Sequence, residues 1–278
     1  MIDRPLVLLA VHAHPDDEVT GTGGVLARYA AEGVTTVVVT CTDGRCGDGP
    51  NGVKPGEPGH DPEAVAATRS AELDASVAEL KVTHLERLGY HDSGMMGWPT
   101  NDAPGSFWST PVPEAAEKLA ALLRQYRPDV VLTYDEIGGY GHPDHIQVNR
   151  VTMAALDRLD DPPAKVYWNT IPLSWVESIA ERMREIGQEW EEPEPDENGE
   201  RPVMGLPDDQ ITTWIDTGEY ADQKYDALSH HASQGDGAFF INLGKERFGE
   251  LMRMETFLRV RDTTDAPVPE DDLFAGLR

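Results

Sequence analysis

"LVLLAVHAHPDDEVTG" (residues 6–21) joins an unbroken apolar run to a cluster of two imidazoles and three carboxylates. Leu6 to Val11 has the length and branched-residue content of a strand buried on both faces, as in the interior of a parallel sheet. His12, His14, Asp16, Asp17 and Glu18 therefore stand at a strand's carboxyl end. In open α/β sheets that edge carries the ligand crevice, because the loops leaving the strands line it.

Outward from this stretch the chain alternates helix and strand. "TGGVLARYAAEG" (22–33) reads as a helix stopped at Gly33, and "VTTVVVTCT" (34–42) as a β-branched strand. "PEAVAATRSAELDASVAEL" (62–80) is a helix with an apolar stripe at Val65, Leu73, Val77 and Leu80. Arg69 falls on that stripe, where a charge needs a partner or a ligand. A short strand at "THLERLG" (83–89), a helix from Pro113 to before Pro128 and a buried strand "DVVLTY" (129–134) follow. "KVYWNTI" (165–171) is a fifth strand, "LSWVESIAERMREIG" (173–187) a helix, "ITTWIDT" (211–217) a strand, and "YADQKYDALSHHASQ" (220–234) a helix ending near Ser233. "MRMETFLRV" (252–260) closes the chain as strand or helix. The pattern predicts a Rossmann-like α/β fold, a mostly parallel sheet flanked by helices, with an elaborated C-terminal part. Right-handed crossovers give the strand order 3-2-1-4-5, which makes the first and fourth strands neighbours.

That adjacency matters because His-Pro-Asp occurs twice, at 14–16 and at 142–144, each time just past the end of one of those two strands. The clusters then face each other across one crevice. Histidine nitrogen and carboxylate oxygen are ordinary zinc ligands, and a catalytic zinc keeps three protein ligands and an open position. His14, Asp17 and His145 supply such a triad, leaving Asp16 to accept a proton from water. Pro143 suits the first position of a helix and His142 its cap. His142 is then the imidazole that points into the cleft, to protonate a leaving amine or stabilise an oxyanion, with Asp144 holding its tautomer. His12 reads equally as a metal ligand or as a hydrogen-bonding support, and His60 and His84 as loop and surface residues. Long Gly/Pro-rich loops at 43–62 and 90–110 are candidate lids.

Composition narrows the function class. Of 278 residues, 39% are hydrophobic and 26% charged, as in a soluble globular protein. Fifty acidic against 23 basic residues give a net charge of −27, which repels nucleic acid and anionic lipid. No apolar run approaches a membrane span, and the first run is too short for a signal peptide, so a cytoplasmic protein without membrane or nucleic-acid partners is expected. Much of the acid lies in an insertion at about 188–209 and in "DAPVPEDD" (265–272), both read as solvated. The expectation is one domain over 1–262 and an acidic tail over 263–278. Cys41 and Cys46, the two cysteines, exclude a disulfide scaffold and read as ordinary reduced thiols.

The chain also resembles the LmbE-like (PIG-L) family of metal-dependent N-deacetylases. "AHPDDE" with the following "GG", Arg-x-x-Glu-Leu at 69–73, "DSGM" at 92–95, "GGYGHPDH" at 138–145 and "ALSHHASQ" at 227–234 match its motifs in order. It looks most like the mycothiol branch, which includes N-acetylglucosaminyl-inositol deacetylase and mycothiol S-conjugate amidase. The resemblance implies zinc, with Fe²⁺ as the other candidate, on His14, Asp17 and His145. It implies Asp16 as general base, His142 assisted by Asp144 as acid or electrostatic partner, and Tyr140 polarising the amide carbonyl. It implies Arg69 and Asp92 as groups that hold the sugar. Position 21 departs from the branch: Gly21 stands where those enzymes carry lysine or serine. The leading expectation is a zinc-dependent hydrolase that removes acetyl from an N-acetylated amino sugar. The alternatives are an amidase acting on a thiol conjugate and a metal-holding sugar-binding protein without turnover.

Overall fold

The computed structural model describes residues 4–185, 205–235 and 237–278. Most of the acidic insertion lies outside them. The element order is β1 (Val7–His12), α1 (Asp17–Ala31), β2 (Thr35–Thr42), α2 (Pro62–Glu79), β3 (His84–Tyr90), α3 (Val112–Tyr126), β4 (Val130–Tyr134), the single turn α4 (Gly138–Gly141), α5 (Pro143–Leu156), β5 (Lys165–Thr170), α6 (Leu173–Glu185), β6 (Thr213–Asp216), α7 (Ala221–Ser229), α8 (Ala238–Asn242), α9 (Gly244–Met252) and β7 (Met254–Asp262). Seven strands form one sheet in the order β3-β2-β1-β4-β5-β7-β6. The pairs among β1 to β5 are parallel, as the alternation predicts, and β7 runs antiparallel to both β5 and β6.

All six residues of β1 are buried, because both faces of the central strand are covered. Leu8 and Ala10 pack with Val25, Leu26 and Tyr29 of α1. Val7, Leu9 and Val11 point the other way, onto Leu119 and Leu123 of α3 and Val148 and Val151 of α5. His12 shares the parity of Leu8 and Ala10, and its Nε2 lies 2.9 Å from Thr22 Oγ1 on α1. It is a buried support, not part of the metal-ligand geometry described below.

The chain's last segment corrects the expectation of a solvated tail. Leu273 and Phe274 are fully buried in the core that α1 covers, and Phe274 meets Tyr29 edge-on at 5.0 Å between ring centroids. Glu270 is buried too, joined to the fully buried Lys165 of β5 and to Tyr167 Oη at 2.9 Å. A run of acids and prolines reads as solvated because each charge alone would be; pairing with a lysine remote in sequence offsets its desolvation. Phe274→Ala should therefore lower the unfolding free energy by about 3–5 kcal/mol in urea titrations. A change below about 0.5 kcal/mol, as for an exposed position, would place Phe274 outside the core.

Candidate active site and metal centre

β1 ends at His12, and a tight turn through His14 and Pro15 delivers the chain into α1 at Asp17. Asp16, the residue before the helix, has φ 108° and ψ −29°, a left-handed conformation costly for any residue with a Cβ. The Asp17 carboxylate turns back and accepts the His14 backbone N–H at 2.8 Å. From the neighbouring β4, the loop through α4 leads to Pro143 at the first position of α5. His142 caps that helix as its spacing predicts, Nδ1 accepting the Asp144 backbone N–H at 3.1 Å. His145 follows one turn inside. Gly138, at φ +66°, lies so close to it that an added Cβ would stand 2.7 Å from His145 Cβ.

The two clusters meet. His14 Nδ1 is 3.3 Å from Asp17 Oδ2, His145 Nε2 is 3.3 Å from His14 Nδ1, and His145 Nε2 is 3.5 Å from Asp17 Oδ2. Atoms bound to a tetrahedral zinc at about 2.0–2.1 Å stand about 3.3–3.4 Å apart, so this near-equilateral triangle fits such an ion. The outward nitrogens agree. His14 Nε2 lies 3.2 Å from Asp144 Oδ2 and 3.4 Å from Asp92 Oδ1, and His145 Nδ1 lies 3.2 Å from the Gly138 carbonyl. With those nitrogens protonated and donating, His14 Nδ1 and His145 Nε2 keep free lone pairs directed at the same point. The ligand atoms of His14, His142 and His145 also lie within 4.8 Å of one another, as do those of His14, Asp92 and Asp144. In these sets Asp92 and Asp144 occupy the far nitrogen of His14, and the Nδ1 of His142 is engaged as a helix cap.

The electrostatics suit a cation. Burial alone would lower the His14 pKa, but Asp92, Asp144 and Asp17 together hold it well above the usual histidine value. Burial would raise Asp17, and the two histidines outweigh it and hold its carboxyl well below the usual range. Burial pushes Asp16 up to about 6, with Arg69 opposing and Asp17 adding to the rise. A base near that value is matched to proton transfer close to neutral pH. His142 goes the other way, lowered well below its ordinary value by burial and then by His14 and His145. Cys41 and Cys46 are both free, and burial raises both thiols, the reverse of what a reactive or metal-binding cysteine needs.

Three of the expected site residues are engaged chiefly by protein groups. The Asp144 carboxylate does not steer His142; it accepts from the backbone N–H and hydroxyl of Ser93, at 2.8 and 2.5 Å, and faces His14. Only its backbone N–H serves His142. Arg69, 5% exposed, is held by protein groups. Its Nη2 donates to Asp16 Oδ2 at 2.7 Å and to the Pro15 carbonyl, and its Nη1 to the Gly44 carbonyl. Asp92 is likewise held within the protein, accepting from the N–H groups of Gly94 and Cys46. Tyr140 stands at the mouth, 38% exposed, its ring 5.1 Å from that of His145 and 6.1 Å from that of His142.

A cavity of about 400 Å³ opens beside Asp92, walled by Arg45, Cys46 and His60 from one predicted lid and His91 and Thr100 from the other. A larger one, about 680 Å³, shares no residue with the cluster, and four of its charged wall residues are paired, Arg28 with Glu32 and Arg253 with Asp216. Of these two, the smaller is the one that reaches the cluster, through Asp92. At Gly21 a Cβ would stand 2.4 Å from Asn169 Nδ2, which donates to the Gly21 carbonyl at 2.8 Å; the departure at this position is matched by an amide from β5 that fills the space.

Sequence reading missed several supports. Ser93 sits inside a motif already noted, and Tyr134 stacks on His145 at 4.3 Å while its hydroxyl accepts the Ala13 N–H. Glu18 and His231 form a buried pair at 2.8 Å. Ser93, Glu18 and His231 lay in singled-out motifs and Tyr134 at the end of a predicted strand; the signal lacking was the remote partner.

The chain is similar to known proteins over most of its length. Residues 9–156 match the family described as PIG-L, GlcNAc-PI de-N-acetylase. The chain is 40% identical over 294 residues to a 1D-myo-inositol 2-acetamido-2-deoxy-alpha-D-glucopyranoside deacetylase of Geodermatophilus obscurus, covering 97% of each. It is 44% identical over 250 residues to the enzyme of that name from Thermobifida fusca, covering 84% of each. Among solved structures, N,N'-diacetylchitobiose deacetylase from Pyrococcus horikoshii superposes with a TM-score of 0.57 at 21% identity, over 91% of this chain and 83% of that one. The 4-carboxy-2-hydroxymuconate hydratase GalB from Pseudomonas putida superposes at 0.60 with 18% identity, over 94% and 99%. A hydratase on the same frame means that the fold alone does not choose the reaction.

Proposed function

The chain belongs to the PIG-L family, and we propose that it is a metal-dependent N-deacetylase that removes the acetyl group from a GlcNAc-inositol or a related N-acetylated glycoside. The observation that carries this reading is the triangle of His14 Nδ1, Asp17 Oδ2 and His145 Nε2, with the carboxylate of Asp16, outside that triangle and paired with Arg69, next along the chain. The names of relatives matched over nearly the whole chain support the same substrate class. These three residues would hold a divalent ion, zinc ahead of Fe²⁺ for a compact nitrogen and oxygen set. When bound, it supplies positive charge that acidifies water and polarises an amide oxygen.

The chain's own groups do the rest. Asp16 takes a proton from water as the oxygen attacks the acetamide carbon. His142, its Nδ1 occupied by the Asp144 N–H and its pKa depressed, is neutral and carries its proton on Nε2. It therefore acts as a hydrogen-bond donor to the developing oxyanion, with the Tyr140 hydroxyl at the mouth as a second donor. The proton held by Asp16 passes to the departing nitrogen as the C–N bond breaks, giving a free amine and acetic acid, which ionises to acetate by losing its proton to water, and Asp16 is returned to its starting state. The cavity beside Asp92 receives the part of the glycoside that does not react. Among the described residues no helix is long and apolar enough to cross a membrane, and the proposed substrate is water-soluble.

The test is amine release. Zinc-loaded protein is expected to release primary amine from GlcNAc-inositol faster than from GlcNAc. No release from any acetylated amino sugar by loaded protein would overturn the reading in favour of a sugar-binding protein. Faster cleavage of an acylated thiol conjugate would move the chain to the amidases.

A further inference from the structure

We propose that His231 is a positioning residue for the hydrolysis: through Glu18 it holds the backbone N–H of Asp16 and so fixes the left-handed turn that aims the Asp16 carboxylate. The inference rests on the reading of Asp16 as the base. Glu18 is fully buried beneath the site, and its oxygens are shared among three donors. Oε1 accepts from Ser76 Oγ at 2.6 Å and faces His231 Nε2 at 2.8 Å, while Oε2 accepts the Asp16 backbone N–H at 2.8 Å. Asp16 holds an unfavourable φ of 108°, and such a conformation persists only where the surroundings over-determine it. The Glu18 carboxylate is what grips this backbone from inside, and a buried carboxylate keeps its place only while its own partners are present.

His231 is well placed to be that partner. It lies beyond the end of α7 in "HHASQ" (230–234), part of the "ALSHHASQ" motif noted in the sequence. Its neighbours are pinned to the same loops: the Ser233 N–H and hydroxyl donate to Glu72 on α2, and Gln234 exchanges hydrogen bonds with the Asp48 backbone. Arg69, Glu72 and Ser76 lie on one face of α2, so that face ties together Asp16, the 230–234 segment and Glu18. His231 Nδ1 has no hydrogen-bond partner among the described residues, so the imidazole's polar engagement runs through Nε2 alone. A glutamine, whose Nε2 can make the same donation, should therefore stand in for it.

The test compares His231→Ala, His231→Gln and Asp16→Asn, with the His231→Ala/Asp16→Asn double variant, for zinc content, kcat, KM and hydrogen exchange at the Asp16 amide. Small misplacement of a reacting group costs up to about 10²-fold, so His231→Ala should lower kcat by about 10- to 100-fold with KM within about twofold and zinc retained. His231→Gln should restore most of it. In the Asp16→Asn background His231→Ala should cost little more, and in the single His231→Ala variant the Asp16 amide should exchange at least about tenfold faster than in the parent. Should the alanine variant fail to fold, His231→Asn, polar but too short to reach Glu18, gives the same comparison. Equal fractional losses in both backgrounds, or unchanged exchange at Asp16, would overturn the proposal. If the parent protein releases no amine, the exchange measurement alone decides, separating failure of this inference from failure of the deacetylase reading.

Discussion

His145→Ala is expected to lose the divalent ion, with metal content after dialysis falling from about one equivalent to near none and turnover falling with it. The two remaining ligand atoms, on His14 and Asp17, sit on one tight turn, and the third comes from the facing helix. Removing it leaves only water to close the site. The expected loss of affinity exceeds the roughly 10- to 100-fold typical of disturbing a supporting hydrogen bond. Ser93→Ala provides that comparison, since Ser93 is not one of the three metal ligands and its hydroxyl holds Asp144 against His14, while also accepting the Trp108 N–H. Metal analysis should rank the parent, Ser93→Ala and His145→Ala in falling order. Full occupancy in His145→Ala would remove His145 from the ligand set and point to His142 as the alternative on the same helix.

The parts of this site legible in sequence are those carried by local spacing. Two His-Pro-Asp turns after buried strands sufficed to bring His14, Asp17 and His145 together, because strand order in a parallel sheet follows from right-handed crossovers. The strand order through β5 was legible for the same reason. What lay beyond reach depends on charges whose partners are remote. Glu18 meets His231 213 residues away, Lys165 meets Glu270 105 residues away, and Arg69 meets Asp16 53 residues away. A hydropathy reading sends each of these to solvent, or to a ligand, when taken singly. The antiparallel entry of β7 between β5 and β6 has the same origin: Glu255 on β7 is buried against Lys224 and accepts the N–H groups of Gly24 and Val25 in α1. Nothing local in "MRMETFLRV" announces that contact.

Asp16 combines both kinds of information, and its substitution should have the second large effect. Asp16→Asn is expected to retain the metal and the fold while lowering kcat by about 10²- to 10⁴-fold, the range for loss of a general base. Its side-chain oxygen can still accept from Arg69, and asparagine tolerates the left-handed backbone better than most residues. Asp16→Ala should lose turnover to the same degree but also stability. Arg69, buried and deprived of its carboxylate, would be left with an unpaired charge, and breaking such a pair costs about 3–5 kcal/mol, less here because Asp16 is partly exposed. The carboxylate therefore has a structural duty that its place in the motif did not reveal. Comparing the two variants separates the duties: a kinetic loss common to both belongs to proton transfer, and a drop in unfolding free energy seen only with alanine belongs to Arg69. If Asp16→Asn instead lost the metal, Asp16 and Asp17 would have to exchange roles. Near-parental turnover in either variant would remove Asp16 from the chemistry and leave its strained backbone without a purpose in the site.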